Sequence, residues 1–232
     1  MDKEYFVLYT PEEMNKAYSL MESDFSRDEI FDALKSDDDI KKQIALIKLD
    51  SVNSKEEAKM LTSVLTGQHG PVREICSAKI NEFIRNENCR EYFDGEETRE
   101  IFLNALNDII PTVARNILEV IKFLPERETA QNALLDRILD LDNYVEDEEL
   151  LSNHEIIKKT FKLYWYLETL AEFAKEAEKN EKFAKIIEKT YNHEDYTIRE
   201  KVSKILSKVN NFAEYKDILK NDTNPYVSAI LK

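Results

Sequence analysis

The sequence predicts an all-α protein, an α-solenoid of about five to six stacked helical hairpins. Three observations carry that prediction. The 232 residues include only three glycines and five prolines, too few for the many tight turns of an all-β chain. Apolar residues recur at helical spacing along one face of stretch after stretch. The same apolar register then returns about every forty residues.

The elements follow in order. Tyr5-Phe6-Val7-Leu8-Tyr9 is a short apolar run placed to seal the first repeat, with a strand as the other reading. Thr10-Pro11-Glu12-Glu13 joins a cap-like threonine, a proline at the first helical position and a glutamate three residues after the threonine, so a helix is expected to about Glu22. Residues 1–24 are therefore assigned to a capping segment and helix, and 25–232 to one repeat array.

Within the array, first helices are expected at Phe25–Lys35, Lys55–Leu65, Glu97–Asp108, Glu126–Leu141, Glu181–Tyr191 and Asn211–Lys220. Second helices are anchored by Ile40, Val72, Val113, Ile157, Ile198 and Val227, with further apolar residues four, eight and eleven positions on in the best copies. Val72, Cys76, Ile80 and Phe83 show the pattern, as do Val113, Ile117, Ile121 and Leu124. In the copy at Ile157 the register places Phe161 and Trp165 inside. A lone hairpin cannot bury such a face, so its neighbours must cover it. Gly70 and Pro71 mark the turn before a second helix, where the missing proline N–H costs nothing. Cys76 is then a small core residue rather than a reactive thiol.

The second-helix starts carry a family resemblance: Pro71-Val72-Arg73, Pro111-Thr112-Val113, Ile198-Arg199 and Pro225-Tyr226-Val227, with Asp39, Asp195 and Asp222 nearby. In these residues the chain, over 25–232, resembles HEAT repeats. The resemblance implies a right-handed solenoid whose second helices line a concave face. It names a fold and no activity.

Catalytic and ligand signatures do not assemble. Glycines stand only at 67, 70 and 95, so no phosphate-cradling loop or dinucleotide fingerprint can be written. Asp140, Asp142 and Tyr144 match the first ligands of a calcium loop, yet Val145 occupies the glycine position and Leu151 that of the bidentate glutamate. The acidic runs Asp37-Asp38-Asp39, Glu96-Glu97 and Glu146–Glu149 read as solvated helix starts. His69, His154 and His193 fall in turns of different repeats, too far apart for one metal ion. No cofactor and no metal is expected. No apolar run reaches the ~18 residues of a membrane span, the start lacks a signal-like leader, and Cys76 and Cys89 suit a reducing compartment. A cytoplasmic location is expected.

The chain carries a net charge of −14, which repels nucleic acid and anionic membranes. The second helices nevertheless hold more basic than acidic residues. With the concave placement implied by the resemblance, Lys41, Lys42, Lys48, Arg73, Lys79, Arg115, Lys122, Lys158, Lys162, Arg199 and Lys204 become candidates for a relatively basic groove. Tyr166 shares a helix face with Lys158 and Lys162, as an aromatic anchor. In the competing reading, a basic residue after the anchor belongs to the repeat and pairs with an aspartate of a neighbouring turn, and Tyr166 packs on the preceding hairpin.

The expected function is a non-catalytic protein–protein interaction module that binds an acidic protein or peptide. One competing class is a DNA-repair enzyme like the HEAT-like alkylpurine DNA glycosylases, although Trp165 is followed at the fourth residue by Thr169 rather than an aspartate. Another is a bilin-lyase-like or chaperone-like HEAT protein. Self-association is also expected, because the short C-terminal repeat leaves Phe212, Tyr215, Ile218 and Leu219 in search of cover.

Overall fold

The computed structural model describes residues 10–143 and 153–232, and within them the chain is helical with no strand. The expected sealing run at Tyr5–Tyr9 and most of the calcium-like segment lie outside the described residues. Backbone contacts divide the chain into two compact units, the first ending in Ala105 and adding Ile110–Pro125, the second comprising Leu106–Ile109 and Glu126–Lys232.

The first unit begins with α1, Pro11–Glu22, which starts on the capping box read from the sequence. Thr10 Oγ1 accepts from the Glu13 N–H at 3.2 Å and Glu13 Oε2 accepts from the Thr10 N–H at 2.7 Å. Ser26 and Glu29 repeat the device at α2, Arg27–Lys35, which is why that helix starts at Arg27 rather than Phe25. Three hairpins follow from α2 onward. Helix α2 pairs with α3, Asp39–Lys48; α4, Lys55–Ser63, pairs with α5, Gly70–Ile84; and α7, Glu96–Ala105, pairs with α8, Pro111–Lys122. A short α6, Glu87–Arg90, and a 3-10 turn at Glu91–Phe93 bridge α5 to α7.

Second helices stack on second helices, α3 on α5 and α5 on α8, with α1 packed on α3, while α2, α4 and α7 form the other layer. Leu46, Leu61, Ile80, Phe93, Phe102 and Ile117 are fully buried between the layers. Each such side chain contributes about 1.5–3 kcal/mol of transfer free energy. Cys76 belongs to this core, its Sγ donating to the Leu61 carbonyl at 3.2 Å, and burial pushes its thiol far above the ordinary range. It is scaffold, as expected.

The second unit contains α9, Arg127–Asn143; α10, Asn153–Leu170; a short α11, Ala174–Ala177; α12, Glu181–Thr190; α13, Tyr196–Ser207; α14, Ala213–Lys220; and α15, Pro225–Ser228. Its second helices stack α10 on α13 and α13 on α15, and α9 packs on α12. Among the described residues no helix is long and apolar enough to cross a membrane.

The anchors Val72, Val113, Ile198 and Val227 are all fully buried, and Ile40 is half-buried. Helix α10 departs from the expected register. Ile157 is 67 % exposed, whereas Leu163, Tyr166, Leu167 and Leu170 are buried. These four residues form a continuous apolar ridge at i, i+3, i+4 and i+7, whereas of the expected set only Trp165 is buried. The face is therefore set two residues later, with Lys159 at the anchor position. Phe161 is half-buried, and Trp165 is buried in edge contacts with Phe161 and Tyr164.

The C-terminal hairpin also differs from expectation. The Phe212 ring lies 5.6 Å from that of Phe183, the Tyr215 ring 4.8 Å from that of Tyr191, and Leu219 is buried. Phe212 makes its contact from a left-handed backbone (φ 68°), a conformation that costs a non-glycine residue free energy and persists here under aromatic packing. Only Ile218 of the four expected residues stays exposed. The sequence-based reason for self-association through this end is thereby removed.

Candidate binding surfaces

Most of the basic residues expected to face a ligand are instead engaged within the fold, and Lys42, Lys48, Arg199 and Lys204 join successive elements of the stack. In the first unit Lys42 is buried and donates to Gln68 Oε1, so it lines no groove. Lys48 Nζ donates to the Met21 and Ser23 carbonyls at 2.8 and 2.7 Å, closing the end of α1, and sits over the Phe25 ring. Arg73 donates to the Gln68 carbonyl. Lys79 pairs with Glu82 at 3.2 Å, and Lys122 pairs with Glu119 at 2.6 Å, where Arg85 also binds. Lys41 and exposed Arg115 make no side-chain hydrogen bond or salt bridge among the described residues.

In the second unit Arg199 is committed within the fold. It grips Asp222 through two bonds of 2.7 and 3.1 Å and donates to the His193 and Glu194 carbonyls at 2.7 and 2.9 Å. Asp222 lies in the turn of the following repeat, so this is the repeat-to-repeat pairing of the competing reading. Hydrogen bonding from Arg199, and from the Asn224 N–H, holds the Asp222 carboxyl below its usual range against the effect of burial. Lys158 is exposed and Lys162 half-exposed, neither having a side-chain ion pair among the described residues.

Lys204 pairs with Glu168, which is shared by a residue the sequence reading did not single out, Lys201. Lys201 stands three positions after the Ile198 anchor. Only 7 % exposed, it lies 3.2 Å from Glu168 and 4.5 Å above the Tyr164 ring. Burial pushes the Glu168 carboxyl up, yet Lys204 and Lys201 outweigh it and hold the acid below the carboxylate range. Burial likewise opposes the Lys201 ammonium, and Glu168 with Tyr164 raises it above the ordinary lysine value. Both groups are stabilised in their charged forms. That is the signature of a structural ion pair between α10 and α13, not of an acid and base poised to exchange a proton.

Tyr166 is not a surface anchor. It is 4 % exposed, and its hydroxyl accepts from Asn107 Nδ2 at 2.6 Å and Arg137 at 3.3 Å. The shifted α10 register turns it inward, where a phenol needs such partners. Trp165 is equally buried, and Thr169 donates to its carbonyl at 2.8 Å.

An open groove of about 490 Å³ lies on the second-helix face of the first unit, between α5 and α8. Ile75 and Ala78 supply apolar lining, Glu74, Thr112 and Asn116 polar lining, and the Lys79–Glu82 pair also borders it. Asn116 Nδ2 donates to Ser77 Oγ at 3.0 Å, and Ser77 Oγ donates to the Glu74 carbonyl at 2.8 Å. This chain fixes the amide, whose Oδ1 accepts no hydrogen bond among the described residues. The Glu74 carboxylate is also unpaired among them. Gln43, Ile75 and Asn116 each stand three positions after an anchor, so one face of the first unit carries them all. Among the described residues no three His, Cys, Asp or Glu side chains converge as a metal-ligand set.

Compared with family models and with curated proteins, the sequence matches none. Solved structures do resemble it. An engineered protein from the Northeast Structural Genomics Consortium superposes with a TM-score of 0.50 at 14 % identity, covering 89 % of this chain and 96 % of its own. A designed armadillo repeat protein in complex with a (KR)4 peptide gives 0.42 at 15 % identity, covering 87 % and 95 %. The first likeness agrees with the helical-repeat fold read from the residues and extends to nothing else.

Proposed function

We propose that the chain is a non-catalytic protein-binding module of HEAT-like repeats that holds an extended peptide segment on the second-helix face of its first unit. In the same reading residues 1–24 serve as its N-terminal cap. The observation that carries the proposal is the groove between α5 and α8, which combines apolar Ile75 and Ala78 with a fixed, unsatisfied Asn116 carbonyl. An amide oxygen held in place by its own N–H suits recognition of a peptide N–H, because no side-chain ordering is left to oppose binding. The repeat character is supported by the Arg199–Asp222 pairing between successive turns.

The preference for an acidic ligand now rests on fewer groups. Arg115 and Lys41 favour a carboxylate in the first unit, while Glu74 favours one basic residue in the groove. Nucleic acid is disfavoured for the same reason. Phosphate binding depends on many cations free to displace counterions, and most of those in the second helices are already paired within the fold.

Selection of a displayed random peptide library against the full chain tests the reading. Peptides recovered on the wild type should lose binding to Ala78→Arg, which fills the groove from an exposed position without touching the core. Recovery of no peptide, or equal binding to the variant, would contradict it.

A further inference from the structure

The first unit carries a second groove, between α1 and α3, that the peptide site does not use. We infer that it is a docking site for a cationic amphipathic helix of a partner protein. The groove encloses about 250 Å³ above buried Ile44. Met14, Tyr18, Met21 and Ile47 border it at 47, 64, 44 and 45 % exposure. Helix α1 itself buries no residue completely. Exposed apolar side chains are normal when scattered, but their convergence on one concavity marks a binding surface. Methionines spaced seven apart, with a tyrosine between them, give it a soft, adaptable wall.

The groove has the form that accepts a helix. Lys16 meets Asp38 at 2.5 Å beside the start of α3, and Lys48 caps Met21 at the other end, so α1 and α3 run parallel. The twelve residues of α1 give a wall about 18 Å long at 1.5 Å per residue. That accommodates apolar residues at i, i+3 or i+4, and i+7 of an incoming helix.

Charge selects the occupant. Where both helices begin stand Glu12, Glu13, Asp37 and Asp39, with Asp38 answered by Lys16. Hydrogen bonds from Thr10 hold the Glu13 carboxyl below its usual range. A partner bearing lysine or arginine at that end gains complementarity and a steered approach. A second copy of α1 would set Glu12, Glu13 and Glu22 against themselves. The run Tyr5–Tyr9 of this chain has no charge to answer the acids.

Two synthetic 14-residue peptides test the inference on the full chain by fluorescence anisotropy. One has leucines on a single helical face and lysines opposite; its twin has glutamate for each lysine. The lysine peptide should bind about tenfold more tightly, and added salt should weaken it several-fold. Ile47→Glu should weaken it at least about tenfold with unchanged melting, although the substitution adds negative charge. Glu12→Lys combined with Asp37→Lys should abolish the preference between the twins. The inference is overturned if neither peptide binds or if the twins bind alike. It is also overturned if Ile47→Glu strengthens binding, as unspecific attraction to an acidic protein would, or if sedimentation shows a dimer that Ile47→Glu dissolves. These outcomes are independent of Ala78→Arg, so failure here leaves the α5–α8 reading standing.

Discussion

Lys201 of α13 and Glu168 of α10 form an ion pair at 3.2 Å, their side chains only 9 % and 19 % exposed. Lys204 shares the same carboxylate from one turn further on. The contact joins two consecutive repeats of the second unit through their second helices. Glu168→Gln would leave the nearly buried Lys201 with Glu200 alone as counter-charge, 3.3 Å away and itself 31 % exposed, so the cost is expected to be about 1–3 kcal/mol, below the range for a buried charge left wholly unpaired. Lys201→Met replaces the ammonium by an apolar chain of similar length and leaves Glu168 its second partner, so its cost is expected to be smaller. Urea unfolding of both variants checks the order.

Acid should destabilise the fold in a defined window. Glu57 beside Arg27, Glu168 beside its lysines and Asp222 beside Arg199 all have carboxyls held below their ordinary values of 4.5, 4.5 and 3.8. A depressed folded value means that the unfolded chain takes up protons first. The stability these groups confer is therefore complete above their ordinary values and is lost as pH falls through the folded ones. Melting should be insensitive to pH from about 6 to 8 and fall steeply below about 4, with a shallower acid limb in Asp222→Asn.

The shifted α10 register makes a paired prediction. Ile157→Asp, at a site 67 % exposed, should change stability by no more than about 0.5 kcal/mol. Leu167→Asp, at a site with no exposure, should prevent folding of the second unit, as Ile121→Asp should in the first. Circular dichroism melts of the three variants decide it.

Gly67, in the turn after α4, and Gly70, at the start of α5, should behave differently. Gly67 has φ +68°, so alanine there takes on left-handed strain, costing about 1 kcal/mol. At Gly70 an added Cβ meets only the end of the Ile110 side chain, at 2.9 Å. That methyl can move, so Gly70→Ala should stay within about 0.5 kcal/mol by thermal melting.

Much of the fold was legible because hairpin repeats write their period into the apolar residues. Thr10–Glu13 announced α1 to the residue, and Val72, Val113, Ile198 and Val227 are all buried as expected. Helix α10 misled because it has two apolar stripes, and only a neighbour decides which turns inward. The short α6 and α11 have too few residues for a period to show. The basic residues were visible, but their partners were not: Asp222 is 23 positions from Arg199, and Glu168 is 36 from Lys204. Such pairings depend on stacking, which a linear pattern does not encode. Ile75 and Ala78 left a faint signal, being apolar or small at positions outside the core register.

Amide hydrogen exchange on the full chain, with and without a peptide selected on it, tests the central claim most directly. Binding on the second-helix face of the first unit predicts added protection in α5 and α8, residues 70–84 and 111–122, with α12 and α14 unchanged. Protection confined to α2, α4 and α7, or to the second unit, would contradict it.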